Sequence, residues 1–266
     1  MTPFTRQRSR GVALGVIVGL LLAGCSGLRS QVSQEFTQAR RAQVSYHDGL
    51  ARYEAQDYRG ALPHFARALA YDPAFDEAEA SLAWSYSHVG QYPEATRHFR
   101  QVIVRQPRWE GLHAGLGWCR YRVGRYHLAL ESFQAALALD PRYREAAVGR
   151  AYALFELGRY AEALTHLERL TREGEGSAFQ RPTADVEEVR SRFAWALYYG
   201  GHYARARVEF TKGLAARPTW YGLHNGLGWT QLQLGERAQA RASFQRALQL
   251  KADLVDARQG LAQARQ

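Results

Sequence analysis

From residue 42 onward the chain alternates short amphipathic segments with turn residues, and the whole pattern returns every 34 residues. Pro73, Pro107 and Pro141 mark the period. Twelve residues before each proline stands Ala61, Ala95 or Ala129, and the column continues as Ala163, Ala206 and Ala240. Eight before it the column reads Phe65, Phe99, Phe133, Leu167, Phe210 and Phe244. Ala and Phe four apart share one face of a helix, the small residue where helices cross closely and the ring one turn later. Seventeen before the proline come Gln56, Gly90, Gly124, Gly158, Gly201 and Gly235, followed two residues on by Tyr58, Tyr92, Tyr126, Tyr160, Tyr203 and Arg237. Glycine closes a helix C-terminus in the left-handed conformation at little cost, and Asp72-Pro73 or Asp140-Pro141 stops the next helix. The pattern therefore predicts helix, turn, helix, turn in six repeats: 42–75, 76–109, 110–143, 144–177, 187–220 and 221–254. A period of this length is the mark of a repeat array.

The residues resemble the tetratricopeptide repeat family. Repeat 110–143 matches its pattern best, through Leu116, Gly117, Gly124, Tyr126, Ala129, Phe133, Ala136 and Pro141. Departures are local: Gln56 for Gly, no proline in the fourth repeat, and Arg237 and Ala252 for Tyr and Pro in the last. The resemblance implies an all-α, right-handed α-solenoid whose first helices line a concave groove. Fold alone does not identify what the groove holds.

A second repetition overlies the first. Pro107–Trp118 returns as Pro218–Trp229 with nine of twelve positions identical, so the array reads as two related halves of three repeats. Gly111, Gly115, Gly222 and Gly226 fall on predicted helices, where each costs about 1 kcal/mol relative to Ala. Close helix packing and a bare backbone patch for a ligand are both expectations that the sequence leaves open. Residues 178–186 are an insertion, with Gly174, Gly176, Ser177 and Pro182 giving the stretch Thr171–Thr183 a loop-like composition. It reads as a hinge or as a partner-contacting loop, with Asp185 and Glu188 restarting the next helix as a capping box. Residues 255–266 read as a capping helix.

Ahead of the repeats, Arg6, Arg8 and Arg10 precede an apolar run from Val12 to Leu22, the layout of a secretory signal and too short to span a bilayer comfortably. Leu22-Ala23-Gly24-Cys25 resembles the bacterial lipoprotein signal. The resemblance implies removal of residues 1–24, acylation of Cys25 with diacylglycerol and an N-acyl chain such as palmitate, and, with Ser26 next, an outer-membrane protein facing the periplasm. Residues 25–41 then form a short tether and leading helix. Cys119, the other of only two cysteines, reads as a buried thiol.

Charge narrows the partners. The formal net charge is +10, or +7 once Arg6, Arg8 and Arg10 are removed, and Lys occurs only at Lys212 and Lys251. Arginine suits carboxylates and phosphates. In an exported protein the expected counter-surfaces are acidic proteins, lipids and polysaccharides, with no nucleic acid.

The candidate binding chemistry is aromatic. Twenty-three residues before the proline the column reads Leu50, Trp84, Trp118, Tyr152, Trp195 and Trp229, and three later come Tyr121, Phe155 and Tyr198. Residues three apart share a helix face. The resemblance implies that these columns point into the groove, with Trp109 and Trp220 beside them and His113 and His224 in equivalent places. Ring packing between helices is the competing reading. There is no His-Glu-x-x-His, Cys-x-x-Cys, Gly-x-Ser-x-Gly or phosphate-binding loop, so no enzyme, metal or cofactor is expected. The expected function is a membrane-anchored protein-binding scaffold in assembly of a bacterial envelope machine (pilus, secretion or outer-membrane assembly). Contact with a polysaccharide or peptidoglycan is the alternative.

Overall fold

A computed structural model of the chain describes residues 26–176 and 186–266; the signal segment, Cys25 and most of the insertion lie outside the described residues. Thirteen helices occupy the described residues and account for the fold. They are α1 (Ser26–Glu54), α2 (Tyr58–Tyr71), α3 (Asp76–His88), α4 (Tyr92–Arg105), α5 (Glu110–Arg122), α6 (Tyr126–Leu139) and α7 (Arg144–Glu156). After them come α8 (Tyr160–Gly176), α9 (Val186–Tyr199), α10 (Tyr203–Ala216), α11 (Tyr221–Gln233), α12 (Arg237–Leu250) and α13 (Val255–Arg265). Odd-numbered helices up to α11 open the six repeats and even-numbered ones close them. The protein is an all-α solenoid of helix pairs.

The turn inside every repeat is the same. Gly90, Gly124, Gly158, Gly201 and Gly235 have φ between +72° and +82°, and Gln56 takes their place at +62°. The Gly90 N–H donates to the Ser87 carbonyl and the Gln91 N–H to Tyr86, the paired bonds that close a helix C-terminus. Equivalent pairs recur at Gln56–Asp57, Gly124–Arg125, Gly158–Arg159, Gly201–His202 and Gly235–Glu236. Asp57 adds a side-chain cap, its Oδ1 accepting from the Gly60 N–H at 2.9 Å.

The second helices bury a single stripe, whereas the first helices α3, α5, α7 and α9 are buried over most of their surface. In α2 only Ala61, Phe65 and Ala68 are buried, one residue per turn, whereas in α3 every residue from Ala78 to Ser85 is. The Ala column and the Phe column, Leu167 included, are fully inaccessible to solvent. Each ring is seated against glycine on a neighbouring first helix. A Cβ built on Gly115 would lie 2.5 Å from Phe99, and one on Gly149, Gly226 or Gly260 would lie 2.3 Å from Phe133, Phe210 or Phe244. Real Cβ atoms do not tolerate such contacts, so the helical cost of these glycines is the condition for bringing the helices together. Packing is thus the reason for Gly115 and Gly226, and Gly111 is buried as well. Gly222 sits beside the Trp220 indole, 3.2 Å from Nε1 to an added Cβ.

Two compact units emerge. The first comprises the described residues up to Arg125 with Ala138–Pro141; there α1 to α4 each pack on the helix that follows, and the first helices α1, α3 and α5 also touch in succession. The second comprises Tyr126–Leu137 and Arg142–Gln266; there α7 to α13 pack in order and α7, α9, α11 and α13 touch in succession. Three boundaries differ from the sequence expectation. Leading helix and first repeat helix are one helix, α1, without a break at residue 42. Helix α8 runs on to Gly176 through a stretch of loop-like composition, because Leu170 and Thr171 are buried and the Thr171 hydroxyl donates to the Leu167 carbonyl at 2.8 Å. The units divide in the third repeat rather than at the insertion, across which α8 packs on α9.

Gln56 is the one non-glycine residue at positive φ among the described residues. A side chain there costs about 1–2 kcal/mol, part of which glycine returns as unfolded-state entropy. Gln56→Gly is therefore expected to stabilise the protein by roughly 1 kcal/mol in urea unfolding; a lowered midpoint would show that the turn is not strained.

Candidate functional site

The aromatic columns begin as packing. Trp84 meets Phe99 edge to face at 5.0 Å, Trp195 meets Phe210 at 5.4 Å and Trp229 meets Phe244 at 5.4 Å, with interplanar angles of 77–83°. The first-helix indole of a repeat thus stands on the ring of its own second helix. Such edge contacts are favourable for the ring quadrupoles. Depth differs along the column. Trp84 and Tyr152 are buried at 8% and 4% exposure, so these two expected groove residues serve the core, while Trp118, Trp195 and Trp229 keep an open edge.

Residues three apart do form pairs, each with partly exposed rings. Trp118 meets Tyr121 at 5.6 Å and 81°, and Trp195 meets Tyr198 at 5.5 Å and 83°. Trp229 donates from Nε1 to Asp256 Oδ2 at 2.9 Å, and the same oxygen accepts from Asn225 Nδ2 at 2.6 Å. Trp109 and Trp220 instead occupy the turns, as N-cap residues of α5 and α11. The Arg217 guanidinium lies 5.4 Å above the Trp220 ring. His113 Nε2 is 2.9 Å from the Pro107 carbonyl and His224 Nε2 is 2.8 Å from that of Pro218, so both rings donate back to the turn ahead of their helix. The duplicated segment is therefore duplicated in geometry.

A further column escapes the sequence reading. The last residue of a first helix packs on the tyrosine that begins the preceding second helix: His88 stacks on Tyr58 at 4.1 Å and 12°, and Tyr199 on Tyr160 at 4.6 Å and 16°. At the same place Arg122 donates from Nε to the Tyr92 hydroxyl at 3.0 Å. His88 Nε2 also lies 3.0 Å from the Tyr53 hydroxyl. In the second unit Phe155, Tyr160, Trp195, Tyr198 and Tyr199 form one cluster, with Tyr199 half exposed at 51%. The tyrosine column is legible in the sequence, but its partner varies among His, Arg and Tyr and so makes no visible column.

Among the described residues no group of three His, Cys, Asp or Glu side chains is placed to hold a metal, and no helix is long and apolar enough to cross a membrane. Cys119 is buried and unoxidised, its thiol pushed up to about 11, chiefly by burial. It is held as a small core residue.

Sequence profiles described as tetratricopeptide repeat match residues 52–118, 114–178 and 221–254, more than half of the chain. The chain is a tetratricopeptide repeat protein. No curated protein matches it. Solved structures share the fold at low identity. The crystal structure titled APC/C hetero-tetramer Cut9–Hcn1 is 16% identical with a TM-score of 0.70, over 85% of this chain and 43% of that one. The chain thus spans less than half the length of that structure. YrrB, described as a tetratricopeptide repeat protein with an unusual peptide-binding site, is 18% identical with a TM-score of 0.60, covering 73% and 96%. Pseudomonas aeruginosa pilF is 16% identical with a TM-score of 0.68, covering 85% and 99%.

Burial holds His88 and His98 below the ordinary 6.5, and His166 likewise, with Arg150 and Arg169 adding to the effect. The unfolded chain then takes up protons that the folded one refuses. Stability contributed by the neutral rings is present above pH 6.5 and lost as pH falls through the depressed folded values. Urea midpoints are expected to be level above pH 7 and to decline between pH 6.5 and 5, less so in His88→Phe; a flat profile across this range would refute the assignment.

Proposed function

We propose that the protein is a lipid-anchored scaffold that gathers a protein partner for assembly of a bacterial envelope machine. The observation that carries the binding half of this reading is the half-open aromatic cluster of Trp195, Tyr198 and Tyr199. Its rings are already ordered by Phe210 and Tyr160, so little side-chain entropy is lost when a partner covers them. Tryptophan and tyrosine so placed are the side chains that concentrate binding energy at interfaces. The similar proteins support a protein ligand: YrrB has a peptide-binding site by its title, and Cut9–Hcn1 is part of a hetero-tetramer.

The anchoring half rests on sequence. Acylated Cys25 would carry more lipid than stable attachment requires, leaving the repeats on a short lead beside the membrane. The proposed site is the periplasmic face of the outer membrane, and the machine one for pilus, secretion or outer-membrane protein assembly. The half-exposed Tyr199 in this aromatic cluster also suits contact with a sugar, which keeps a polysaccharide as the second reading.

Two measurements test the halves separately. Cys25→Ser should move the protein from the membrane pellet to the soluble fraction and abolish labelling by radioactive palmitate; unchanged partitioning would remove the anchor. A photocrosslinking amino acid at residue 199 should capture one defined envelope protein in cells, and Trp195→Ala should reduce capture at least five-fold. Quenching of tryptophan fluorescence by oligosaccharides, with no protein captured, would move the assignment to a polysaccharide.

A further inference from the structure

Charge thins out around the aromatic cluster of the second unit. Phe193–Tyr199, the second half of α9, and the whole of α11 contain no Asp, Glu, Lys or Arg. Helix α11 touches both α9 and α13, and α13 brings a carboxylate, Asp256, in its first turn. The helix dipole favours an acid at the start of a helix wherever its side chain points. Asp256 is aimed at α11, because Trp229 Nε1 and Asn225 Nδ2 both donate to it, at 2.9 and 2.6 Å.

Both donors meet Oδ2, and among the described residues nothing bonds to Oδ1 of this exposed side chain. The basic residues nearest in the chain are engaged elsewhere. Arg258 donates to the Ala252 carbonyl at 2.7 Å, and the Lys251 ammonium stands 4.9 Å from the centre of the Tyr221 ring. The rings nearby are open too: Trp195, Tyr198 and Trp229 in part, Tyr199 by half. Burial raises the Tyr198 and Tyr199 hydroxyls, and the charge of Asp256 adds to both. The carboxylate therefore acts on the same rings that α9 leaves exposed.

We propose that Asp256 and the rings of Trp229, Tyr198 and Tyr199 form a subsite for a cationic side chain, lysine or arginine, of a protein partner; this rests on the reading of the α9 cluster as a protein-binding surface. Aromatic rings attract a cation and the carboxylate pairs with it, so both parts of the subsite favour the same ligand. An acidic side chain is repelled by Asp256, and a neutral sugar leaves its charge unused. The segment recognised is therefore basic, although the chain itself has a formal net charge of +10. Overall charge acts on approach, and the local carboxylate selects what is seated.

The test is selection of a random dodecapeptide library on the immobilised full chain, followed by binding of the selected peptides to parent and Asp256→Asn. Lysine or arginine should be enriched in the selected peptides. Asparagine keeps an oxygen to accept from Trp229 and Asn225, so Asp256→Asn should hold its Tm and weaken peptide binding about three- to ten-fold at low salt, less at high salt. Replacing the basic residue of the peptide by glutamine should erase the difference between the two proteins, a coupling that a merely structural role of Asp256 does not produce. Selected peptides without a basic residue, or equal binding by parent and Asp256→Asn, would overturn the subsite; the aromatic surface then stands if Trp195→Ala still weakens binding. An empty selection, or binding untouched by Trp195→Ala, would remove the protein-binding reading itself and the subsite with it.

Discussion

The structure depends on one contact, repeated: a phenylalanine of a second helix seated in a slot that only glycine leaves open on a first helix. Phe99 over Gly115, Phe133 over Gly149, Phe210 over Gly226 and Phe244 over Gly260 join one repeat to the next element. Phe65 and Phe244 press equally on Gly49 and Gly228 within their own repeats. Every such ring is fully buried, and truncating a ring of this kind costs about 3–5 kcal/mol. A solenoid has no central core, so its stability is the sum of such neighbour terms. Two positions of the slot column depart from glycine, Ser81 in the second repeat and Arg192 in the fifth. Where the column holds Leu167, the slot position after the insertion is Arg192, which reaches Glu156 at 2.7 Å and lies 4.1 Å above the Tyr152 ring.

The same contact orders the aromatic side chains within each unit. Because Phe99, Phe210 and Phe244 are fixed, each holds a tryptophan edge-on, Trp84 inside the core and Trp195 and Trp229 with part of the ring open. Rings held in this way lose little side-chain entropy if a partner covers them, which is what the proposed binding role requires. In each unit polar groups are fixed as well, His113 by the Pro107 carbonyl in the first, and His224 by that of Pro218 and Trp229 by Asp256 in the second. Repeats differ in what they add at the ends of the first helices: His88, Arg122 and Tyr199.

Much of the fold was legible because its cause is periodic. A glycine at positive φ, an alanine at a crossing and a phenylalanine in a slot recur at fixed spacing, and even the departure at Gln56 appears where the turn demands it. The sequence could not separate slot glycines from a bare patch, since Gly115 and Gly226 look alike in both cases; only the ring opposite decides. Nor could it grade the aromatic column, because Trp84 and Trp195 share a position and differ in what the next repeat places over them. The stacked pairs His88–Tyr58 and Tyr199–Tyr160 went unread, since stacking accepts several side chains. The helical extension through Thr171 was hidden by glycine-rich composition.

The most direct test of the account is a double-mutant cycle on Phe210 and Gly226, followed by equilibrium unfolding in urea. Gly226→Ala alone places a methyl group inside the Phe210 ring and should cost about 1–3 kcal/mol. With Phe210→Leu present, the smaller side chain leaves room for that methyl group. The two substitutions should then cost at least about 1 kcal/mol less together than the sum of their separate effects. Strict additivity would mean that ring and slot do not meet, and the stacking account would fall.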